Sequence, residues 1–390
     1  MKIKKIDLLY SDPVEDGWRP SFCRIYTDTG LYGDGEVALS YGAVSHAAFA
    51  EMHDLAPLLI GMNPLEHEVI WEKLYRQSFF GLNAGPVIFG AISAFDIALW
   101  DIKGKYYHAP LHELLGGEQQ RRVRAYASQL QMGWGVGRHH AGQPADYAAN
   151  TRIAVEKGFD AVKINFLTFD EEGQPVNHID QENLLTSDYL NLVQRRLHAV
   201  RQVLGPNGDL ILENHALTGK LAAIRFGKLA KQYSPLYYEE PVKPDPQLLA
   251  TVHHETGLPI ASGERLYSRW DFKRAFDQGA IQVAQPDIGT AGGITEVKKI
   301  CDLAAISDIG VQIHITGSNL MTAVSLNLEA TLPNFVIHEY NINTAMPKIL
   351  ALTKYDYEPE NGQLTVPDRP GIGNELSTTA FKNSHIITVK

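Results

Sequence analysis

The sequence is poor in cysteine, in long apolar runs and in clusters of basic residues, and each shortage excludes a class of protein. Only Cys23 and Cys301 occur among 390 residues, so no disulfide framework is expected and a reducing, cytoplasmic location is favoured. No apolar run reaches the roughly 18 residues that a membrane-spanning helix needs. The basic residues near the N-terminus, within 1–7, precede no apolar signal core. The net charge is −10, and basic residues do not cluster elsewhere, so neither nucleic acid nor an anionic membrane is an expected partner.

What the sequence has instead is a series of acidic and imidazole residues at nearly constant spacing in its second half. Each residue ends or closely follows a short apolar run, and successive members lie 23 to 27 residues apart: Glu213, Glu239, Glu264, Asp287, His314 and Glu339. Segments with helical patterning, such as 221–232 and 295–306, lie between these runs. A buried strand and a helix repeated at this spacing predict a parallel (β/α) barrel. The polar residues would then lie at the carboxyl ends of the strands, where barrel enzymes carry their chemistry.

The first third of the chain has a different pattern. Three short runs of mixed polarity, 3–10, 22–27 and 31–36, predict a small antiparallel meander. Helical patterns follow at 43–59, 65–76 and 87–107. The length suffices for a barrel and a second, α+β domain, and the Pro- and Gly-rich stretch 355–373 is expected to return to that domain.

Three of the strand-end residues predict a metal site. Glu213, Glu239 and Glu264 end three consecutive strands, and neighbouring strands lie only about 4.8 Å apart. Three unpaired carboxylates would repel one another in a partly dry site, and a bound cation removes that conflict. Oxygen ligands favour one Mg²⁺ ion. The alternative is that lysine or arginine residues pair with these carboxylates.

The next two strand ends predict a proton-transfer dyad. A carboxylate at Asp287 beside an imidazole at His314 would orient the ring and raise its basicity. In a barrel of eight strands, His314 would face the metal from across the mouth, with the substrate between them. The alternative is a structural histidine.

Further polar residues lie close to these strand ends. His215 follows Glu213 by two residues, so an extended strand would direct both side chains to the same side. This imidazole could reach the substrate, or it could be bonded within its loop. Lys163 and Asn165 alternate in the same way, and Lys163 would meet a substrate anion or a metal ligand, or simply form an ion pair. Glu339 is a candidate ligand-binding residue with a structural alternative.

Several short motifs follow one another across essentially the whole chain. They are Ala94-Phe95-Asp96-Ile97-Ala98-Leu99-Trp100-Asp101, Glu239-Glu240-Pro241, Ser262-Gly263-Glu264-Arg265, Ala284-Gln285-Pro286-Asp287 with Gly292-Gly293-Ile294-Thr295, and His314 with Glu339. In this order and spacing, the sequence resembles the enolase superfamily. Within it, the chain is similar to the mandelate racemase group and to galactonate dehydratase-like acid-sugar dehydratases.

The resemblance implies an α/β fold: a modified TIM barrel, (β/α)7β, with an N-terminal α+β capping domain that the C-terminal tail completes. We place the capping domain at 1–120, the barrel at 121–349 and the tail at 350–390. It also implies Mg²⁺ bound by the three glutamates, a base formed by the Asp287–His314 pair and a general acid at His215. Two departures stand out: the family has Asp where this chain has Glu213, and racemases have a second lysine where it has Asn165.

We therefore expect Mg²⁺-dependent dehydration of a sugar acid, an aldonate or aldarate, to a 2-keto-3-deoxy acid. His314 would remove the C2 proton, His215 would protonate the departing C3 hydroxyl, and Lys163 would assist catalysis. The residues expected to bind the substrate are Glu339, Asn165, Arg265, Trp18 and Arg19. The loops 11–20 and 79–85 are expected to determine specificity. The expected partner is a small-molecule sugar acid, and the chain is expected to form a homo-oligomer.

Two other functions remain as alternatives. An epimerase, racemase or cycloisomerase would need a second proton-transfer group facing His314, and Asn165 cannot provide it. A non-catalytic, metal-binding sensor would not require Asp287 beside His314.

Overall fold

The computed structural model describes residues 1–14, 17–134, 139–177, 182 and 184–390. Glu15 and Asp16, which belong to the predicted specificity loop 11–20, lie outside the described residues. The chain begins with an antiparallel meander of β1 (Ile3–Ser11), β2 (Ser21–Thr27) and β3 (Tyr32–Val37). The predicted meander is therefore confirmed.

Four helices follow the meander: α1 (Ser45–Leu55), α2 (His67–Gln77), α3 (Pro86–Tyr107) and the short α4 (Leu111–Leu114). Helix α3 is buried along most of its length because it lies between the meander and the barrel. Strand β3 approaches it so closely that a Cβ atom at Gly35 would lie 1.8 Å from the carbonyl oxygen of Ala94. Glycine at this position lets the strand and the helix pack backbone to backbone.

The second part of the described chain is a curled sheet of eight parallel strands. They are β4 (Arg122–Ser128), β5 (Ala161–Ile164), β6 (Asp209–Glu213), β7 (Pro235–Glu239), β8 (Ile260–Ser262), β9 (Val283–Ala284), β10 (Gly310–Val311) and β11 (His338–Asn341). Consecutive strands from β4 to β10 are neighbours, and β11 pairs with β4. A parallel bridge between Val311 of β10 and Phe335, three residues before β11, brings the two ends of the sheet together, so the sheet curls into the predicted barrel.

Each strand is connected to the next through a helix. In chain order these helices are α5 (Pro144–Glu156), α6 (Ser187–Leu204), α7 (Lys220–Ala230), α8 (Pro246–Thr256), α9 (Arg269–Asp277), α10 (Gly293–Ile306) and α11 (Asn319–Glu329). Buried apolar residues recur at helical spacing, as with Leu190, Val193, Leu197 and Val200 of α6. After β11, the short helix α12 (Pro347–Leu350) stands where an eighth full-length barrel helix would be, which gives the (β/α)7β pattern.

The C-terminal segment divides its contacts between the two parts of the fold. Strand β12 (Gln363–Thr365) pairs antiparallel with β4 of the barrel. After α13 (Thr378–Lys382), strand β13 (Ser384–Val389) pairs antiparallel with β1 and becomes the fourth strand of the N-terminal sheet. The tail thus completes the capping sheet, as predicted, and also covers one strand of the barrel.

The N-terminal part contacts loops at the carboxyl ends of the barrel strands. The indole of Trp71 donates to the carbonyl of Gly292 over 2.8 Å, and Thr295 N–H donates to Asp96 over 2.9 Å. These contacts place a cap on the face of the barrel that carries the strand-end residues. Both cysteines are free and buried. No helix of the described residues is long and apolar enough to cross a membrane.

Candidate active site

Strand register brings the predicted carboxylates together. Glu213 and Glu239 are the last residues of β6 and β7, and they are direct partners in the parallel ladder. Glu264 follows β8 by two residues. Gly263 precedes it, and a Cβ atom there would lie 2.4 Å from the backbone carbon of Gln285. The small residue therefore allows two strand ends to approach at the point where Glu264 enters the site.

Lys163, on β5, lies among these carboxylates instead of in open solvent. Its Nζ atom is 2.6 Å from Glu239, 2.9 Å from Glu339 and 3.1 Å from Glu213. Burial by itself would lower the pKa of this fully buried lysine, but the three carboxylates outweigh it and hold the pKa well above its ordinary value. Lys163 is therefore a fixed cation. Lys163 thus forms the ion pairs that the sequence analysis gave as an alternative. Two of its partners, Glu213 and Glu239, are predicted metal ligands.

A candidate metal cluster is formed by Glu213, His215 and Glu264, whose ligand atoms all lie within 4.8 Å of one another. The predicted third ligand, Glu239, instead places Oε1 on Lys163 and accepts at Oε2 from Gln285 over 2.7 Å. Two carboxylates with an adjacent third fit the oxygen-rich donor set that Mg²⁺ prefers. The structure thus brings together two of the three predicted ligands directly and places Glu239 beside them.

The predicted dyad is formed. Asp287 and His314 are joined by a parallel bridge, and Nδ1 of His314 lies 2.8 Å from Oδ2 of Asp287. The other carboxylate oxygen accepts from the backbone N–H of Gly289 over 2.7 Å, which fixes the acid. Burial would lower the pKa of His314, but the hydrogen bond to Asp287 and the charge of Glu339 outweigh it and raise the pKa.

The free nitrogen of His314 points into the carboxylate cluster. Nε2 lies 2.9 Å from Oε2 of Glu264. The sequence predicted an open gap between the imidazole and the metal ligands, and the structure shows direct contact instead. Glu264 follows β8 and His314 follows β10, and only β9 lies between these two strands, so the two side chains meet beyond the end of β9.

His215 contacts another glutamate of the same cluster. Its Nε2 atom is 3.2 Å from Glu213 Oε1 and 3.2 Å from the amide nitrogen of Gln129. The amide nitrogen of Asn165 lies 3.4 Å from Nδ1. Burial, together with the charges of Arg265 and Lys163, lowers the pKa of His215 to about 3. The backbone at His215 has a φ of 48°, so the strand does not continue in the extended form that the sequence suggested.

Two other predicted substrate-binding residues also join the cluster. Glu339 accepts from Ser128 Oγ over 2.8 Å and from Ile315 N–H over 3.1 Å. Burial would raise the pKa of Glu339, but Lys163 and His314 outweigh it and lower the pKa to about 2. Arg265 forms ion pairs with Glu264 and with the buried Glu240.

The two predicted residues of the N-terminal loop have other surroundings. Trp18 is only 6% exposed and packs in a small apolar cluster with Met346 and Ile349. Arg19 is exposed, and its guanidinium lies 5.7 Å from the centre of the Tyr10 ring. Their roles in substrate binding remain predictions.

Sequence reasoning missed the amides that support the carboxylates. Gln129 donates to Glu213 Oε2 over 3.0 Å, and it accepts in turn from Gln131 over 2.7 Å. Gln285 donates to Glu239 and to Gln312. A signal was available, because Gln129 directly follows β4 and Gln285 directly follows β9, the same kind of position that identified the acids.

A capped parallel barrel with a carboxylate cluster and a His–Asp dyad at its strand ends is the architecture of a barrel enzyme. Two family models match the chain. Residues 19–116 match the mandelate racemase/muconate lactonizing enzyme N-terminal domain, and residues 146–380 match the enolase C-terminal domain-like family.

Individual relatives agree. The chain is 31% identical to D-galactonate dehydratase of Ralstonia pickettii (strain 12J) over 91% of this chain and 88% of that protein. It is similar to the crystal structure of an enolase superfamily member from Salmonella Typhimurium, with a TM-score of 0.97, 42% identity and full coverage of both chains. It is also similar to the 3,6-anhydro-D-galactonate cycloisomerase of Zobellia galactanivorans, with a TM-score of 0.83, 28% identity and coverage of 99% and 100%.

The chain therefore belongs to the enolase superfamily and, within it, to the mandelate racemase/muconate lactonizing enzyme family. The predictions that it has this fold and is an enzyme are confirmed. The Ralstonia pickettii relative is a dehydratase, and dehydratases are hydro-lyases.

Proposed function

We propose that this protein catalyses the Mg²⁺-dependent dehydration of a sugar acid, an aldonate or aldarate, to a 2-keto-3-deoxy acid. The observation that carries the proposal is the contact of two imidazoles with two different glutamates of one carboxylate cluster. His314 contacts Glu264, and His215 contacts Glu213. A β-elimination needs a base at the carbon and an acid at the departing oxygen, and this arrangement supplies one group for each task.

The residues that would hold the metal are Glu213, Glu239 and Glu264. The cluster of Glu213, Glu264 and His215 supports this assignment, and Glu239 is adjacent through its ladder pairing with Glu213. When bound, Mg²⁺ supplies positive charge that offsets these carboxylates and the negative charge that develops on the substrate carboxylate.

His314 acts as the base through Nε2. Asp287 accepts a hydrogen bond from Nδ1–H, so the neutral ring has its lone pair on the nitrogen that faces the site. Taking the C2 proton creates an imidazolium, and the buried Asp287 carboxylate stabilises that charge. Glu339 and Lys163 lie alongside and fix the electrostatic surroundings of the ring.

His215 protonates the departing C3 hydroxyl. Its lowered pKa of about 3 makes the ring neutral before substrate binds. To act as the acid, the ring would take up a proton from solvent as the substrate binds, and negative charge of the bound substrate near the ring would favour that uptake by raising the pKa. Asn165 lies next to His215 and has no basic group, so the chemistry favours elimination over epimerisation.

The test is a panel of diastereomeric aldonic and aldaric acids, beginning with D-galactonate, incubated with enzyme and Mg²⁺ in deuterated water. Proton NMR would follow both loss of the C2 proton signal and formation of a 2-keto-3-deoxy acid. We expect both for at least one acid. Exchange with an epimeric or cyclised product would support the epimerase or cycloisomerase alternative, and no exchange with any acid would support the sensor.

A further inference from the structure

A buried carboxyl of the cap contacts the loop that carries His314. Glu36 lies on β3, is fully buried, and accepts from the backbone N–H of Ser318 over 2.9 Å and from its hydroxyl over 2.5 Å. Ser318 is the N-cap of α11 and accepts from Leu320 N–H over 3.2 Å. Only three residues separate Ser318 from His314, so Glu36 holds the far end of the His314 loop.

The same end of β3 also contacts the loop of Asp287. The backbone N–H of Ala38 donates to the carbonyl of Gly289 over 3.2 Å, while Gly289 N–H donates to Asp287 Oδ1 over 2.7 Å. A Cβ atom at Gly289 would lie 2.5 Å from the Cβ atom of Ala38. One edge of the capping sheet therefore contacts both loops of the dyad.

The fit around Glu36 is close. Gly317 has a φ of +130°, and a Cβ atom there would lie 2.8 Å from Glu36 Oε1. Among the described ion pairs, none involves Glu36, and burial raises its pKa to about 8, with a further contribution from the charge of Asp287. The two hydrogen bonds from Ser318 partly offset the cost of burying this carboxyl group.

We propose that Glu36 is a positioning residue for the reaction, which aims Nε2 of His314 by fixing Ser318 and the start of α11. The inference rests on the proposed function, in which His314 is the base. Part of the support for the His314 loop therefore comes from the cap, to which Glu36 belongs. Small errors in the position of a base are costly, since displacement of about 1 Å can reduce a rate by about 10²-fold.

The test uses three variants of the full chain with the sugar acid that the panel selects. Glu36→Met fills similar space without an acceptor, whereas Glu36→Gln keeps an amide oxygen for Ser318 N–H. We expect Glu36→Met to lower kcat by about 10- to 100-fold with little change in KM, and Glu36→Gln to recover most of that loss. Ser318→Ala, which removes only the hydroxyl, should lower kcat by a smaller factor.

The decisive readout is the isotope effect on kcat for substrate deuterated at C2. A misplaced base makes proton removal more rate-limiting, so the isotope effect should rise in Glu36→Met and in Ser318→Ala. A loss of folded enzyme alone would lower the rate and leave the isotope effect unchanged. If Glu36→Met does not fold, Ser318→Ala by itself decides the outcome.

A matched control is Asp96→Asn. Asp96 is also a buried carboxyl of the cap that accepts from a backbone N–H and a hydroxyl, those of Thr295 in the first turn of α10. The Asp96→Asn variant should be less stable than the wild type, while its isotope effect should stay at the wild-type value. A wild-type kcat and isotope effect in Glu36→Met or Ser318→Ala would overturn the inference. An inactive wild-type enzyme would instead overturn the proposed function.

Discussion

The ammonium group of Lys163 donates to Oε1 of Glu239 over 2.6 Å at the centre of the carboxylate cluster. Both side chains are buried, and Glu213 and Glu339 contact the same ammonium group. The lysine thus neutralises part of the charge that the strand ends bring together. We therefore expect it to hold the acids in place, and its predicted part in catalysis stays a prediction.

Removing this cation should damage both stability and activity. In Lys163→Met, three buried carboxylates lose their shared partner, and breaking a buried ion pair on one side typically costs about 3–5 kcal/mol. The apparent free energy of unfolding in urea would measure the loss. Lys298→Met is a suitable control because its ion pair with Asp302 is partly exposed, and such pairs contribute about 1 kcal/mol or less. Equal stabilities for the two variants would contradict the argument.

Metal affinity should depend on each of the three glutamates. Glu213→Gln, Glu239→Gln and Glu264→Gln each remove a charge from the cluster, so titration calorimetry should show weaker Mg²⁺ binding in all three. Glu329→Gln alters a buried glutamate that pairs with His338 and serves as the control. Unchanged affinity in Glu239→Gln would indicate that this residue belongs to the lysine and amide network and not to the metal site.

His314→Asn should abolish exchange of the substrate C2 proton while metal binding persists, because the change removes the base and leaves the three glutamates. Exchange with deuterated solvent, followed by NMR, measures this step separately from product formation. His338→Asn is a closely matched control, since His338 also pairs through Nδ1 with a buried carboxylate, at 2.6 Å. Persistent exchange in His314→Asn would assign the base to another residue.

His215→Asn should separate the two halves of the reaction. We expect measurable exchange at C2, because His314 is intact, but loss of the 2-keto-3-deoxy product by about 10²- to 10⁴-fold, the usual contribution of a general acid. Product formation and exchange would be measured in the same NMR sample. Dehydration at the wild-type rate would show that His215 is structural.

The buried Glu36 should make stability fall as the pH rises. Its folded-state pKa of about 8 lies above the ordinary value of 4.5, so between these values the folded protein retains a proton that the unfolded chain has released. Glu36→Gln cannot ionise, and its melting temperature relative to wild type should therefore be higher at pH 8 than at pH 5. The partly exposed Glu72→Gln serves as the control. A difference independent of pH would contradict the assignment.

The sequence by itself determined the barrel, the antiparallel meander and the position of five polar residues at or just after consecutive strand ends. The sixth prediction was wrong in its register, because Glu339 is the second residue of β11 and lies inside the strand. The sequence could determine the other five because a strand–helix repeat fixes which end of each strand a residue occupies, and all parallel strands end on the same face. The Asp287–His314 pair followed from the same logic, since neighbouring strands place such residues side by side.

Only the tertiary structure decided which groups meet within that face. Glu239 contacts Lys163 and Gln285, and His314 contacts Glu264, because stagger between strands and the reach of long side chains select partners that spacing cannot reveal. Trp18 is buried through packing against Met346 and Ile349, far along the chain. Glu36 and Ser318 are 282 residues apart, and no local pattern connects them. Their contact exists because two layers, the cap and the barrel, pack on each other.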